Sequence, residues 1–173
     1  WWHDSAIPDE IDRAIQNGAS GVTTNPVLTY RSLCAVPEIW KPYIEQQVPK
    51  GLSLAEHVEA LLKVITTFAA DKFRPIFDET VGKLGYALAQ VNPGICMDSE
   101  LMLEQGKRYA SWAQNIAVKI PTVKAAIPVV EELAAQGIAV CTTLNFSVSQ
   151  AMAVGEAYMR GKKRAEKAGI KVR

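Results

Sequence analysis

Lys119 is the residue whose type and surroundings most clearly indicate chemistry. It lies within the apolar run Asn115-Ile-Ala-Val-Lys-Ile-Pro121, and lysine is seldom buried because removing an ammonium group from water is costly. Burial among apolar side chains favours the neutral amine, which is a nucleophile toward carbonyl groups. The structural alternative is a lysine near the end of a strand that extends to water or pairs with a carboxylate.

Polar residues also follow most of the other short apolar runs. In a barrel of parallel strands the carboxyl ends of the strands meet at one mouth, where the active site of that fold lies. Each residue also has a structural alternative: Asp4 could cap a helix, Asn25 could open a turn, and a strand threonine could simply favour β-structure. The polar residues at or near strand ends are Asp4, Thr23 with Asn25, Gln90 with Asn92, Lys119, and Thr143 with Asn145.

The elements that must carry these residues alternate between strand and helix, which is typical of the α/β class. Helices are predicted at 11–16, 54–69, 99–112, 125–136 and 148–167. Ser53 and Glu56 have the spacing of a capping box, which predicts the start of the second of these helices. Short apolar runs predict strands at 1–3, 21–24, 86–91, 116–120 and 138–144, and a further strand that begins at 170.

Two layouts of such elements fit the sequence, a doubly wound open sheet and a barrel of eight strands and helices. Neither a G-x-G-x-x-G nor a G-x-x-x-x-G-K-[ST] pattern is present, so no motif supports nucleotide binding. The polar residues at the strand ends favour the barrel.

Composition and charge exclude several classes of protein. The 173 residues are 49% hydrophobic and 21% charged with a formal net charge of +1, which argues against electrostatic capture of nucleic acid or anionic lipid. No apolar run approaches the roughly 20 residues that span a bilayer. The 3 cysteines form no C-x-x-C pair and the 2 histidines are far apart, so we expect no disulfide framework, no metal site and a reducing cytoplasm.

Four segments resemble the transaldolase family and occur in that family's order. The resemblance covers nearly all of the chain and implies a (β/α)8 TIM barrel, of which this chain carries about the first five to six βα units. It also implies a single domain over 1–173, incomplete at both ends, with a helical insert at about 33–71 and a phosphate-binding arginine just past Arg173. The segments are Trp2-His-Asp-Ser5, Gly21-Val-Thr-Thr-Asn-Pro-Val-Leu28, Ala117-Val-Lys-Ile-Pro121, and Gly137-Ile-Ala-Val-Cys-Thr-Thr-Leu-Asn-Phe-Ser147 followed by Gln150-Ala.

The resemblance implies the catalytic roles residue by residue. Lys119 matches the lysine that forms a Schiff base with the carbonyl of a ketose phosphate, and the protonated imine then accepts electrons while the C3–C4 bond breaks. Asp4 matches the acid/base aspartate, which takes a proton from the C4 hydroxyl and later returns one. Thr143 matches the threonine that helps to hold a catalytic water, and Asn25 matches the asparagine that hydrogen-bonds the substrate.

Two positions depart from the transaldolase pattern. Gln90 lies where transaldolases usually carry glutamate and fructose-6-phosphate aldolases carry glutamine, and an amide orients a water without removing its proton at neutral pH. Cys141 lies where many members have asparagine, which removes one donor and one acceptor from the substrate site. We expect Asn145 to compensate, with Thr23 and Ser147 as further substrate-binding residues.

The resemblance implies transfer of a dihydroxyacetone unit from a ketose phosphate to an aldose phosphate in the pentose phosphate pathway. Gln90 favours aldolase-type cleavage of fructose 6-phosphate instead, whereas the helical insert favours transaldolase. The departures from the family pattern at Gln90 and Cys141 leave a third alternative open. In it the protein is a non-catalytic relative that binds phosphosugars as a scaffold.

We therefore expect a cytoplasmic enzyme that needs no cofactor and binds small-molecule sugar phosphates. We expect no nucleic-acid and no membrane partner, and a homo-oligomer stays open. The basic stretch over 160–173 is interpreted as a solvated helix face, because no aromatic residue follows Tyr158 to stack on bases.

Overall fold

Strands and helices alternate along the chain, which confirms the predicted α/β class. The structure, a computed structural model, describes residues 1–172 and contains in that range five strands, seven α-helices and one 3-10 turn. By its internal contacts the chain divides into two units, of which the first is Trp1–Ala89 and the second begins at Gln90. The prediction of a single domain with an insert stays a prediction.

Parallel strand pairs form the sheet of the first unit. Asp4 is aligned with Thr23, and Thr23 is aligned in turn with Leu88. Gly21 allows the first two strands to approach, because a Cβ there would lie 2.9 Å from the Trp2 ring. The carboxyl ends of the first two strands therefore lie side by side. The strands are β1 (Trp2–Asp4), β2 (Gly21–Thr23) and β3 (Tyr86–Gln90).

The helices of the first unit begin where the sequence supplies a proline or a cap. Proline occupies the first turn of α1 (Pro8–Gln16), α2 (Pro26–Ala35) and α3 (Pro37–Gln47), where its fixed φ suits the helix. α4 (Leu54–Glu79) begins with the predicted capping box, in which Ser53 and the residue three positions later exchange hydrogen bonds. Because proline opens α1, that helix begins three residues before the predicted 11.

The core of the first unit is built around Trp40, which is fully buried. Its ring centroid lies 5.0 Å from that of Phe68 and 5.9 Å from that of Tyr43. The indole N–H donates to the Ser32 hydroxyl at 3.0 Å, and that hydroxyl donates to the Ala6 carbonyl at 2.7 Å. This chain of hydrogen bonds ties α3 and α2 to the loop after β1.

Over its described residues 90–172, the second unit contains two parallel strands, three α-helices and the 3-10 turn Pro93–Ile95. Lys119 on β4 (Ile116–Pro121) is aligned with Cys141 on β5 (Val140–Thr143). The helices are α5 (Ser99–Ala110), α6 (Ala126–Ala135) and α7 (Val148–Lys167). The core between β4 and these helices contains buried residues that include Val91, Met102, Val118, Ile120, Val129, Leu133 and Ala157.

α7 begins and ends at the predicted residues and packs along α6. Gly161 permits the close approach, because a Cβ there would collide with the Glu131 carbonyl oxygen. Arg160 donates to the Glu131 carboxylate at 2.7 Å, and Arg164 donates to the Glu132 carboxylate at 2.8 Å. Two arginines of the predicted basic stretch therefore pair with acidic side chains of α6.

The prediction of a strand that begins at residue 170 is wrong for the described residues. Gly169 ends α7 in the left-handed conformation with φ at +69°, and the Ile170 N–H donates back to the Ala165 carbonyl at 2.9 Å. This hydrogen bond closes the helix end and leaves that N–H unavailable to a neighbouring strand. Residues 170–172 accordingly form no strand, and Arg173 lies outside the described residues.

Candidate active site

Lys119 lies on β4 between two fully buried side chains. Val118 and Ile120 are both 0% exposed and pack into the core beneath α5 and α6, whereas Lys119 is half-buried. Because successive side chains of a strand point to opposite faces, Lys119 lies on the face away from that core. The alternation of side chains between the two faces of β4 therefore determines to which face the predicted nucleophile, Lys119, points.

Cys141 and Thr143 share the face that carries Lys119. Lys119 is aligned with Cys141 across the β4–β5 pair, and Thr143 lies two residues further along β5. Residues two apart along a strand point to the same face. The structure thus brings together the predicted nucleophile, the predicted water-binding threonine and the cysteine that departs from the family pattern.

The Cys141 thiol stays protonated more readily than an ordinary thiol. Burial raises its pKa, and the positive charge of Lys119 opposes that effect. Its sulfur lies 4.0 Å from the Thr142 carbonyl oxygen. A thiol is only a weak hydrogen-bond donor and acceptor, so Cys141 offers weaker hydrogen bonds to a bound ligand than an amide side chain would.

Asn145 and Ser147 hold the turn that joins β5 to α7. The Asn145 Oδ1 accepts from the Thr122 hydroxyl at 2.9 Å, and its Nδ2 donates to the Thr142 carbonyl at 3.2 Å. Ser147 is the N-cap of α7, where its hydroxyl accepts from the Gln150 N–H at 3.2 Å. Both side chains therefore have local structural roles, and substrate binding by them stays a prediction.

Gln90 is the half-buried last residue of β3. In the second unit, the Val91 N–H donates to the Lys119 carbonyl at 3.0 Å, and the Asn92 N–H donates to Gln105 Oε1 at 2.6 Å. Gln105 is buried on α5. Sequence reasoning missed it, because a glutamine in a helix is more often exposed and nothing in its spacing marks this one as buried.

Asp4 and Thr23 lie side by side at the ends of β1 and β2. Asp4 is exposed and Thr23 is half-buried. α1 begins at Pro8, and its N-cap residue Ile7 makes no side-chain capping bond. The helix-capping alternative for Asp4 is therefore wrong, which leaves its carboxylate without that structural role.

Asn25 is the N-cap of α2, where its Oδ1 accepts from the Leu28 N–H at 2.8 Å. Within residues 1–172 no hydrogen bond engages its Nδ2, which remains a donor group.

Thr24, which precedes Asn25, is buried. Its hydroxyl donates to the Leu88 carbonyl at 2.7 Å and lies 3.1 Å from the hydroxyl of Thr66. Thr24 therefore fixes the backbone between Thr23 and Asn25, a role the sequence did not reveal.

One protein family matches nearly the whole chain. The profile described as transaldolase/fructose-6-phosphate aldolase matches residues 1–170. The chain belongs to this family. The resemblance carried by the four segments is thereby confirmed, and so is the fold class, because the family has a TIM-barrel fold with which the α/β order and the parallel strand pairs are consistent.

Several transaldolases are similar to this chain. "Transaldolase 1" of Streptomyces avermitilis is 33% identical over 153 residues, which cover 87% of this chain and 40% of that protein. "Transaldolase 2" of Nostoc punctiforme is 31% identical over 168 residues, covering 92% of this chain and 44% of that protein. "Transaldolase" of Thermobifida fusca is 29% identical over 158 residues, which cover 89% of this chain and 42% of that protein. The chain thus spans about two-fifths of the length of these relatives.

The transaldolase/fructose-6-phosphate aldolase family comprises enzymes of carbohydrate metabolism. Among the helices of residues 1–172, none is both long enough and apolar enough to cross a membrane. Cys34, Cys96 and Cys141 are free thiols.

Proposed function

We propose that this chain carries Schiff-base chemistry of the transaldolase type, which transfers a dihydroxyacetone unit from a ketose phosphate to an aldose phosphate. The observation that carries the proposal is the half-buried Lys119 on β4, flanked by fully buried side chains and facing the same way as Thr143. A lysine on an apolar strand is unusual unless its amine is used. Membership in the transaldolase/fructose-6-phosphate aldolase family supports this reading.

The proposed reaction begins at the amine of Lys119. The amine adds to the C2 carbonyl of the ketose phosphate, and loss of water gives a protonated imine. Asp4 takes the proton of the C4 hydroxyl, and the C3–C4 bond breaks as its electron pair passes to the imine to form an enamine. The departing fragment is an aldose phosphate whose aldehyde carbon was C4.

The second half of the reaction returns the same groups to their starting state. The enamine attacks the aldehyde carbon of the acceptor aldose phosphate, and Asp4 gives its proton to the new hydroxyl. Water then hydrolyses the imine, which releases the new ketose phosphate and restores the amine of Lys119.

Thr143 and Gln90 act on the water that is lost and regained at the imine. The Thr143 hydroxyl has no hydrogen-bond partner within residues 1–172, which leaves it available to a water molecule. The Gln90 amide orients a water but does not take its proton at neutral pH. Asp4 is therefore the acid/base group of the proposal.

Substrate binding is proposed for Asn25, Thr23, Asn145 and Ser147. The Asn25 Nδ2 is a donor group that the cap of α2 does not use, and it suits a substrate hydroxyl. The proposed ligands are small sugar phosphates rather than nucleic acid, and a cytoplasmic location is part of the proposal.

Gln90 favours a second candidate, fructose-6-phosphate aldolase. Both reactions share the imine and differ only in whether the enamine attacks an aldose phosphate or is protonated and released. An amide in place of a carboxylate at Gln90 is the feature that supports cleavage without transfer. A scaffold that binds phosphosugars without turnover is the outcome expected if neither reaction occurs.

Product analysis distinguishes these candidates in the full-length protein that carries this sequence. With fructose 6-phosphate and erythrose 4-phosphate together, transaldolase forms glyceraldehyde 3-phosphate and a seven-carbon ketose phosphate. An aldolase forms glyceraldehyde 3-phosphate and free dihydroxyacetone whether or not the acceptor is present. Lys119→Met should abolish either reaction, whereas Lys124→Met, at an exposed lysine after β4, should not. Activity retained by Lys119→Met would overturn the proposal.

Asp4→Asn tests the acid/base role, since its capping alternative is excluded. The variant should lose most carbon–carbon cleavage, because general acid–base groups contribute about 100-fold to 10,000-fold. Asp9→Asn on the exposed surface of α1 is the matched control. Equal activity of the two variants would contradict the assignment of Asp4.

A further inference from the structure

Thr122 is the residue that joins the end of β4 to the segment after β5. Its N–H donates to the Thr143 carbonyl at 2.8 Å, and its hydroxyl donates to Asn145 Oδ1 at 2.9 Å. Its carbonyl accepts from Gln150 Nε2 at 3.1 Å. All three polar groups of this buried threonine are therefore committed to residues 143–150.

The segment that Thr122 holds contains an unusual backbone conformation. Leu144 has φ at +64°, in the left-handed region that is unfavourable for a residue with a Cβ. Such conformations persist only where the surrounding structure holds them, and they are concentrated at functional sites. Gln150 contributes to holding this one, because its Oε1 accepts the N–H groups of Phe146 and Ser147 at 3.0 and 3.1 Å.

Leu144 directly follows Thr143, so its conformation fixes the end of β5. The backbone at the carboxyl side of Thr143 is thereby held twice, by the Thr122 N–H at its carbonyl and by the left-handed residue that follows. Thr122 itself is three residues beyond Lys119 and directly follows the end of β4. The hydrogen bonds of Thr122 therefore act on the one backbone segment that carries the predicted water-binding hydroxyl.

We propose that Thr122 is a positioning residue, which sets the Thr143 hydroxyl relative to Lys119 and thereby the rate of the water-dependent steps at the imine. The inference rests on the proposed Schiff-base function and goes beyond it by assigning a role to a residue outside the predicted site. Thr122 acts through Thr143 and Asn145 and does not itself take part in bond breaking.

Thr122→Val tests this role, because valine has the shape of threonine but cannot donate to Asn145. Its kcat should fall about tenfold, the effect of one well-placed hydrogen bond, with KM for fructose 6-phosphate little changed. Because hydrolysis of the imine slows, more of the enzyme should be present as the imine during turnover. The fraction that borohydride reduces to a stable adduct should therefore rise. Thr122→Ser restores the donor and should recover kcat. Thr67→Val is the matched control, because the Thr67 hydroxyl donates to carbonyl groups of its own helix, α4.

Asn145→Leu provides a second test at the exposed end of the same hydrogen bond. It should reproduce the kcat of Thr122→Val, and the double variant should be no worse than either single one. Because Asn145 is also proposed to bind substrate, a rise in KM is compatible with the inference, whereas an unchanged kcat in Asn145→Leu would overturn it. An unchanged kcat and trapped fraction in Thr122→Val would also overturn it. If the unmodified protein forms no adduct, the proposed function fails and this inference falls with it.

Discussion

Lys119 lies directly across from Cys141 in the parallel pairing of β4 with β5. The strand pairing fixes this relationship, so the two side chains are neighbours on one face of the β4–β5 pair. Burial raises the pKa of the Cys141 thiol, which keeps it neutral beside a group that can be cationic. The cysteine at the position where the resemblance implies an asparagine is therefore the β5 residue paired with the proposed nucleophile.

Alkylation measures the state of Cys141 directly. In a variant with Cys34→Ser and Cys96→Ser, only Cys141 remains of the 3 cysteines. Because its pKa is raised, the thiolate forms at higher pH, and reaction with iodoacetamide should increase with a midpoint above the ordinary value of about 8.5. A variant that keeps only the exposed Cys34 should react faster at the same pH. A Cys141 midpoint below the ordinary value would contradict the raised pKa of this thiol.

Two glycines of α7 provide a test of its packing against α6. Gly161→Ala should lower the free energy of unfolding by about 1–3 kcal/mol, because its Cβ would meet the Glu131 carbonyl. Gly155 has no atom within 4 Å of the position of a Cβ, so Gly155→Ala should raise the stability by about 0.5–1 kcal/mol. Urea denaturation measures both. The packing described is wrong if Gly161→Ala is stabilising.

The hydrogen-bond chain from Trp40 through Ser32 to Ala6 should contribute to the stability of the first unit. Ser32→Ala leaves the indole N–H and the Ala6 carbonyl without this partner in a buried site, which costs about 1–3 kcal/mol. Ser111→Ala at the exposed end of α5 is the control and should cost little. Trp40→Phe combined with Ser32→Ala should show non-additivity in denaturation curves, and additive effects would argue against a coupled chain.

The pair of Glu132 with Arg164 should make stability depend on pH. Hydrogen bonds from Gln136 and then from Arg164 lower the pKa of the Glu132 carboxyl. A lowered carboxyl pKa contributes stability above the unfolded value of about 4.3, and this contribution is lost as the pH falls through the folded value. Glu132→Gln should therefore lower Tm at neutral pH, and the difference should vanish in acid. Glu156→Gln, at an exposed position on α7, serves as the control, and a difference that persists in acid would contradict the assignment.

The sequence predicts most of the elements because their signals are local. The cap at Ser53 marks the start of α4, and Gly169 marks the end of α7. The strand expected from residue 170 was wrong because an apolar run shows only that a segment can be buried. In the structure the Ile170 N–H instead closes the end of α7.

The candidate site is predicted only where residue type is itself unusual. Lys119 is recognisable because lysine is rare on a buried strand. Thr122, Gln105 and Thr24 could not be found, because their roles depend on hydrogen bonds to residues that are distant in sequence. Threonine and glutamine occur throughout proteins, so only the fold distinguishes these three from others.

Reductive trapping is the most direct measurement of whether Lys119 forms the proposed imine. The full-length protein is incubated with fructose 6-phosphate, reduced with borohydride and digested, and the peptides are weighed by mass spectrometry. We expect a dihydroxyacetone-sized adduct on the peptide that contains Lys119, present in Lys124→Met and absent in Lys119→Met. Erythrose 4-phosphate added before reduction should discharge the adduct if the enzyme is a transaldolase. An adduct on another lysine, or none on the folded protein, would contradict the role of Lys119.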